Sequence, residues 1–208
     1  MIDFEDIQPF SDSEFPKAIA TLLADQRFHD VLNFLYPKTE VREQIVNQLA
    51  IIDNVFDFQT KIILPLLDFI EKSSTLGVTV STMDQFSAED KYLYISNHRD
   101  IILDSAFLNM IMYRSGFSST EIAIGDNLLI YDWITTLVRI NRSFTVKRNL
   151  GLREQLDASK KLSAYIRHTL TRKGESVWIA QREGRTKDGN DQTQLALLKM
   201  LNMSNKGT

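Results

Sequence analysis

Apolar residues recur every three or four positions through the first third of the chain, and that spacing predicts helices. Ser11-Asp12-Ser13-Glu14 supplies capping side chains ahead of FPKAIATLLAD. QRFHDVLNFLY reads as a second helix, ending near Pro37, and KTEVREQIVNQLAII as a third. The fourth, DNVFDFQTKIILPLLDFIEKSS, contains Pro65, which predicts a kink because proline lacks an N–H and crowds the preceding turn. After Gly77 the texture changes. VTVSTM, KYLYIS, EIAIG, SFTV and SVWIA read as short strands. IILDSAFLNMIMYRSG, LLIYDWITTLVRI, LREQLDASKKLSAYIRHTLTRKG and QLALLKMLNM have helical length between them.

Alternating strands and helices predict an α/β fold: a mixed sheet covered by helices over residues 77–208, preceded by a helical N-terminal region over residues 1–76. In such folds, ligands gather at the carboxyl ends of the strands. Three polar clusters fall at three predicted strand ends: NHRD, VKR and REGRTKDG. Their shared position is the main reason to place them in one site.

Composition narrows the classes. With 43% hydrophobic and 25% charged residues the chain is an ordinary globular protein. A net charge of -3 argues against a general nucleic-acid binder, so no nucleic-acid partner is expected. The absence of cysteine removes disulfides, thiolate zinc sites and a thiol nucleophile, and no metal or cofactor is expected. The start, MIDFEDIQPF, is not a secretory signal, and no apolar run has the length of a bilayer span. The expected location is cytoplasmic, with peripheral contact at the inner face of the membrane.

His98 is one of three histidines and directly follows an apolar strand, between Asn97 and Arg99. Its ordinary pKa of ~6.5 suits it to accept a proton at cellular pH. A partner carboxylate would fix its tautomer, and Asp104 and Asp100 are both within reach. Asp104 lies in the apolar stretch IILDSAF, where a lone carboxylate is costly without a partner. The plainer alternative is a histidine that caps the next helix. His29 and His168 sit within amphipathic helices and read as solvent-facing or satisfied. Lys147 and Arg148, with Arg139 and Arg142 just before, suit phosphate binding, although a solvated strand end is the commoner arrangement. In QREGRTKDG, Gly184 permits a tight turn, Arg185 and Lys187 add positive charge, and Glu183 can orient an acceptor or brace an arginine.

Taken in order, the clusters resemble the glycerolipid acyltransferase family, which includes glycerol-3-phosphate and lysophosphatidate acyltransferases. The matching blocks are Asn97-His98-Arg99-Asp100 with Asp104, then Phe144-Thr145-Val146-Lys147-Arg148, then Arg182-Glu183-Gly184-Arg185-Thr186. The resemblance runs from Tyr92 to Gly189. It departs from the family pattern in having five residues between His98 and Asp104 instead of four, and Arg182 where proline is usual. A later valine-proline block is missing, and the chain stops at NMSNKGT, so an incomplete sheet is expected.

The resemblance implies transfer of a fatty acyl group from acyl-CoA or acyl carrier protein to a hydroxyl of glycerol-3-phosphate or lysophosphatidate, in phospholipid biosynthesis. His98 would be the general base, with Asp104 or, as second choice, Asp100 behind it. Asn97, Arg99, Lys147, Arg148, Glu183, Gly184 and Arg185 would bind the acceptor. Tyr131 and Trp133 of LLIYDWITTLVRI could line an acyl channel, or the helix could simply pack in the core. Rival readings are an inactive lipid- or phosphate-binding homologue, a hydrolase in which His98 activates water, and a helical interaction domain. No G-x-S-x-G elbow is present, which disfavours a serine hydrolase.

Overall fold

The computed structural model describes residues 2–187 and 192–205. Gly189, where the family resemblance ends, lies outside the described residues. The chain divides into two compact units. One is helical and takes Gln8–Leu76 with Leu128–Ser143; the other takes the residues up to Ile7, Gly77–Asn127 and those from Phe144 onward.

The helical unit contains α1 (Phe15–Ala24), α2 (Gln26–Leu35), α3 (Thr39–Ile51), α4 (Val55–Phe58), α5 (Leu64–Ser74) and α7 (Asp132–Ile140). Helical spacing does its work in α1, where Phe15, Ala18, Ile19 and Leu22 share the buried face. They pack with Phe28, Leu32, Leu49, Phe58, Ile62 and Ile140 in one core. Capping departs from expectation at α1. Glu14 folds back to accept the Ser11 N–H at 2.9 Å and the Ser11 hydroxyl at 2.7 Å. Ahead of Pro65 the helix widens into a turn of π-helix, Gln59–Ile63, directly before α5. Pro65 has no N–H to donate to the carbonyl of Lys61, one turn back, and that residue falls within the wider turn.

The second unit is α/β, as the alternation predicts. Its four-stranded sheet has the order β1-β4-β2-β3, with β1 Leu93–Ser96, β2 Glu121–Gly125, β3 Ser143–Val146 and β4 Val177–Ala180. β1 and β2 both pair in parallel with β4: Leu93 and Glu121 each face Val177. Helices α6 (Leu103–Arg114), α8 (Leu152–His168) and α9 (Leu195–Leu201) accompany it. Phe144, Leu162, Tyr165, Ile166, Val177, Ile179 and Met200 form its core, drawn from β3, α8, β4 and α9.

Two expected elements differ. No strand forms at VTVSTM; Thr82 takes a left-handed conformation at φ 63°, and a single 3-10 turn, Met83–Gln85, follows. Val80 is exposed, so the β-branched residues there have no buried face to pack. The helix expected over LLIYDWITTLVRI starts only at Asp132, with Tyr131 extended ahead of it. An acid in the first turn matches the positive end of the helix dipole, and Ile130 and Tyr131 are left exposed.

Candidate active site

Parallel pairing puts the carboxyl ends of the strands on one edge of the sheet, and the polar clusters follow those ends. Asn97 and His98 leave β1, Gln181 to Gly184 leave β4, Asp126 leaves β2, and Lys147 and Arg148 leave β3.

The imidazole of His98 is fixed through Nδ1, which lies 3.1 Å from Asp104 Oδ2. The same oxygen accepts the backbone N–H of Arg99 at 2.7 Å and of Asp100 at 3.1 Å. One carboxylate oxygen thus holds both the ring and the turn that carries it. Asp104 stands in the first turn of α6, so the five-residue spacing still delivers it to the ring. With Nδ1 donating to a carboxylate, the neutral ring keeps its acceptor lone pair on Nε2.

Asp100 does different work. Its Oδ1 accepts the N–H groups of Ile102 and Leu103, each at 2.8 Å, at the start of α6. Those two bonds, first from Leu103 and then from Ile102, hold its carboxyl below the usual range despite partial burial. The charges of Arg185 and His98 add to the effect.

Across the sheet, Arg148 reaches Glu183, with Nη1 3.1 Å from Oε2. Gly125, at the end of β2, lies against this side chain and leaves room for that of Asn127. A Cβ there would come 3.4 Å from Arg148 Nε and 2.5 Å from Asn127 Oδ1. Asp126 Oδ1 accepts the Arg148 N–H at 3.0 Å. Asp126 is not among the residues expected at the site, although it directly follows the run EIAIG and so marks a fourth strand end. Gly184 turns the chain at φ 72°, and the Thr186 N–H donates to the His98 carbonyl at 2.8 Å. The third cluster is thereby tied to the first. Asn97 accepts from Gln181 Nε2 at 2.8 Å.

Not every candidate converges. Lys147 Nζ lies 3.8 Å from Asp6 Oδ2, an oxygen pair shared with Lys161. Arg139 belongs to the helical unit, where it donates to the Gln8 carbonyl and stacks on Phe10. Arg99 reaches the cluster through its backbone N–H, and its side chain is exposed. His29 pairs with the Leu23 carbonyl at 2.7 Å, and His168 packs beside Phe4. Among the described residues no group of three or more His, Asp or Glu side chains is placed to hold a metal ion, and no helix is long and apolar enough to cross a membrane.

An imidazole oriented by a carboxylate can deprotonate a hydroxyl, and an arginine at the same edge of the sheet, paired with a solvent-exposed Glu183, can bind an anion. Comparison with known proteins agrees in kind. Residues 77–199 match the family model described as acyltransferase, more than half of the chain. No curated protein matches it. With the family pattern spanning all four strands of the sheet and ending within α9, the chain belongs to the glycerolipid acyltransferase family and is an acyl-transferring enzyme.

Proposed function

We propose that this enzyme acylates a hydroxyl of a phosphate-bearing glycerol compound, glycerol-3-phosphate or lysophosphatidate, using acyl-CoA or acyl carrier protein as donor. The observation that carries the reading is the Nδ1 contact of His98 with Asp104 at the carboxyl edge of the sheet. In this mechanism Nε2 of His98 takes the proton from the acceptor hydroxyl as its oxygen attacks the thioester carbonyl. The new C–O bond forms, the C–S bond breaks, and the thiolate recovers the proton from the imidazolium. Asp104 stabilises that imidazolium. Arg148 and Arg185 bind the acceptor phosphate, with Arg99 as a further cation at the rim. Lys147 contributes less, because Asp6 competes for it. Glu183 and Gly184 place the glycerol backbone. Because the transferred acyl chain leaves as part of a lipid product, the enzyme works in phospholipid biosynthesis at the cytoplasmic membrane surface.

The test is acyl transfer by the purified protein across a panel of both donors and both acceptors. His98→Ala should lower kcat by about 100-fold or more while the circular dichroism spectrum stays unchanged. Full activity in that variant would remove His98 from the mechanism.

A further inference from the structure

The segment that carries His98 is held by more than Asp104. Beyond the last pair of β1 and β4, the hydrogen bonding continues along the loop. The Gln181 N–H donates to the Ser96 carbonyl at 2.9 Å, and the Thr186 N–H donates to the His98 carbonyl at 2.8 Å. Between them, the Asn97 carbonyl accepts the Ser96 hydroxyl at 3.0 Å. That hydroxyl is itself aimed by a second bond, because Trp178 Nε1 donates to Ser96 Oγ at 2.9 Å. Trp178 is 3% exposed, in the middle of β4. Its ring also stands edge-on to the imidazole, with centroids 6.3 Å apart at 66°. One buried side chain thus meets both the hydroxyl that bonds the Asn97 carbonyl ahead of His98 and the ring itself.

We propose that Trp178 and Ser96 form a positioning pair for His98, with the indole N–H setting the serine hydroxyl and the hydroxyl setting the peptide from which the imidazole is hung. The inference rests on the reading of His98 as general base. A general base must keep its nitrogen within hydrogen-bond reach of the substrate proton, so small rotations of the ring cost rate rather than binding. Neither residue touches substrate in this account. Their effect therefore falls on kcat and leaves KM alone.

The test uses Trp178→Phe, which keeps an aromatic ring in the core and removes the N–H, together with Ser96→Ala, Ser96→Thr and the Trp178→Phe/Ser96→Ala double variant of the full chain. Each of the two deletions should lower kcat about tenfold with KM within about twofold. The double variant should be no slower than the worse single one, because both break the same chain of bonds. Ser96→Thr, which retains a hydroxyl, should recover kcat to within about twofold of the parent. With ¹⁵N-labelled histidine, the His98 Nδ1 resonance should shift or broaden in both deletions while those of His29 and His168 stay in place. If Trp178→Phe does not fold, Ser96→Ala and Ser96→Thr carry the same comparison. Unchanged kcat in Ser96→Ala, additive losses in the double variant, or an unmoved His98 resonance would overturn the pair. Loss of the base assignment is distinguishable: His98→Ala would then remain active, and the resonance would still decide whether Trp178 and Ser96 orient the ring.

Discussion

Each end of the sheet holds a network of carboxylates and cations, and the two have opposite character. At the amino end of β2, Glu121 is 1% exposed, and its carboxylate is saturated. Tyr165 donates its hydroxyl at 2.6 Å, Thr169 stands at 3.4 Å, and Lys173 pairs with the second oxygen. These partners tie α8 and the π-helical turn Thr169–Lys173 that follows it to the strand. A carboxylate so buried is tolerated only because every side of it is answered. At the carboxyl end, Arg148 pairs with a Glu183 whose side chain is 66% exposed, an arrangement water and anions can exchange. Acid and cation are thus enclosed and fully paired at one end and open to solvent at the other. Asp104 lies between these cases: its side chain is 18% exposed, enclosed enough to fix His98, and it stands at the carboxyl edge of the sheet.

That contrast breaks most sharply at the two carboxylates. Asp104→Asn should cut kcat by about 100-fold to 1000-fold, because the amide cannot stabilise an imidazolium and can favour the wrong tautomer. Its melting temperature should change little. Glu121→Ala should do the reverse. Removing the buried acid orphans the Tyr165 hydroxyl and the Lys173 ammonium, at a cost of about 3 kcal/mol, or roughly 10 °C in melting temperature. Turnover per folded molecule should be retained. Differential scanning calorimetry beside steady-state kinetics reads both. An Asp104 variant that unfolds but stays fast, or a folded Glu121 variant that is slow, would erase the distinction between the two networks.

Much of this was legible in the sequence. Apolar spacing places α1, α2, α3 and α8 to within a few residues, and helical length closed by Gly116 places α6. The strand ends KYLYIS-NHRD and SFTV-KR were equally plain. What the sequence hid depends on partners far along the chain. VTVSTM has strand composition and no face to bury, so it stays irregular. Lys147 looks like a twin of Arg148, and only the fold brings Asp6 beside it. His98 had two candidate acids. Choosing between them needed the turn at 99–102, which spends Asp100 on backbone N–H groups and leaves Asp104 facing the ring. The roles of Trp178 and Gln181 depend on register between strands more than eighty residues apart in sequence.

A smaller effect sharpens the open network. Arg148→Lys keeps the charge but loses the planar fork that matches a phosphate. KM for the phosphate-bearing acceptor should rise about tenfold, equivalent to ~1.4 kcal/mol, with kcat close to the parent value. Because lysine can still pair with Glu183, stability should not move. An unchanged KM would mean that the acceptor phosphate is bound elsewhere, with Arg185 the next candidate.

The smallest expected effect separates the two acids beside His98. The carboxyl of Asp100 is held below its ordinary range by the Leu103 and Ile102 N–H groups, so its charged form is favoured in the folded state. A depressed carboxyl pKa contributes stability that is present above the unfolded value of ~3.9 and is lost as pH falls through the lower folded value. Asp100→Asn should therefore destabilise the protein at neutral pH. Solvent screening of this partly exposed group limits the cost to about 0.5 kcal/mol. The gap between parent and variant should close as the pH drops below about 4, which denaturant titrations at a series of pH values would follow. Its kcat should stay within about twofold of the parent, because the bonds Asp100 makes are to the backbone of α6 and not to the imidazole. If Asp100→Asn instead lost activity as severely as Asp104→Asn, the acid that serves the base would have to be Asp100, and the contact at Asp104 would be the one that merely holds the turn.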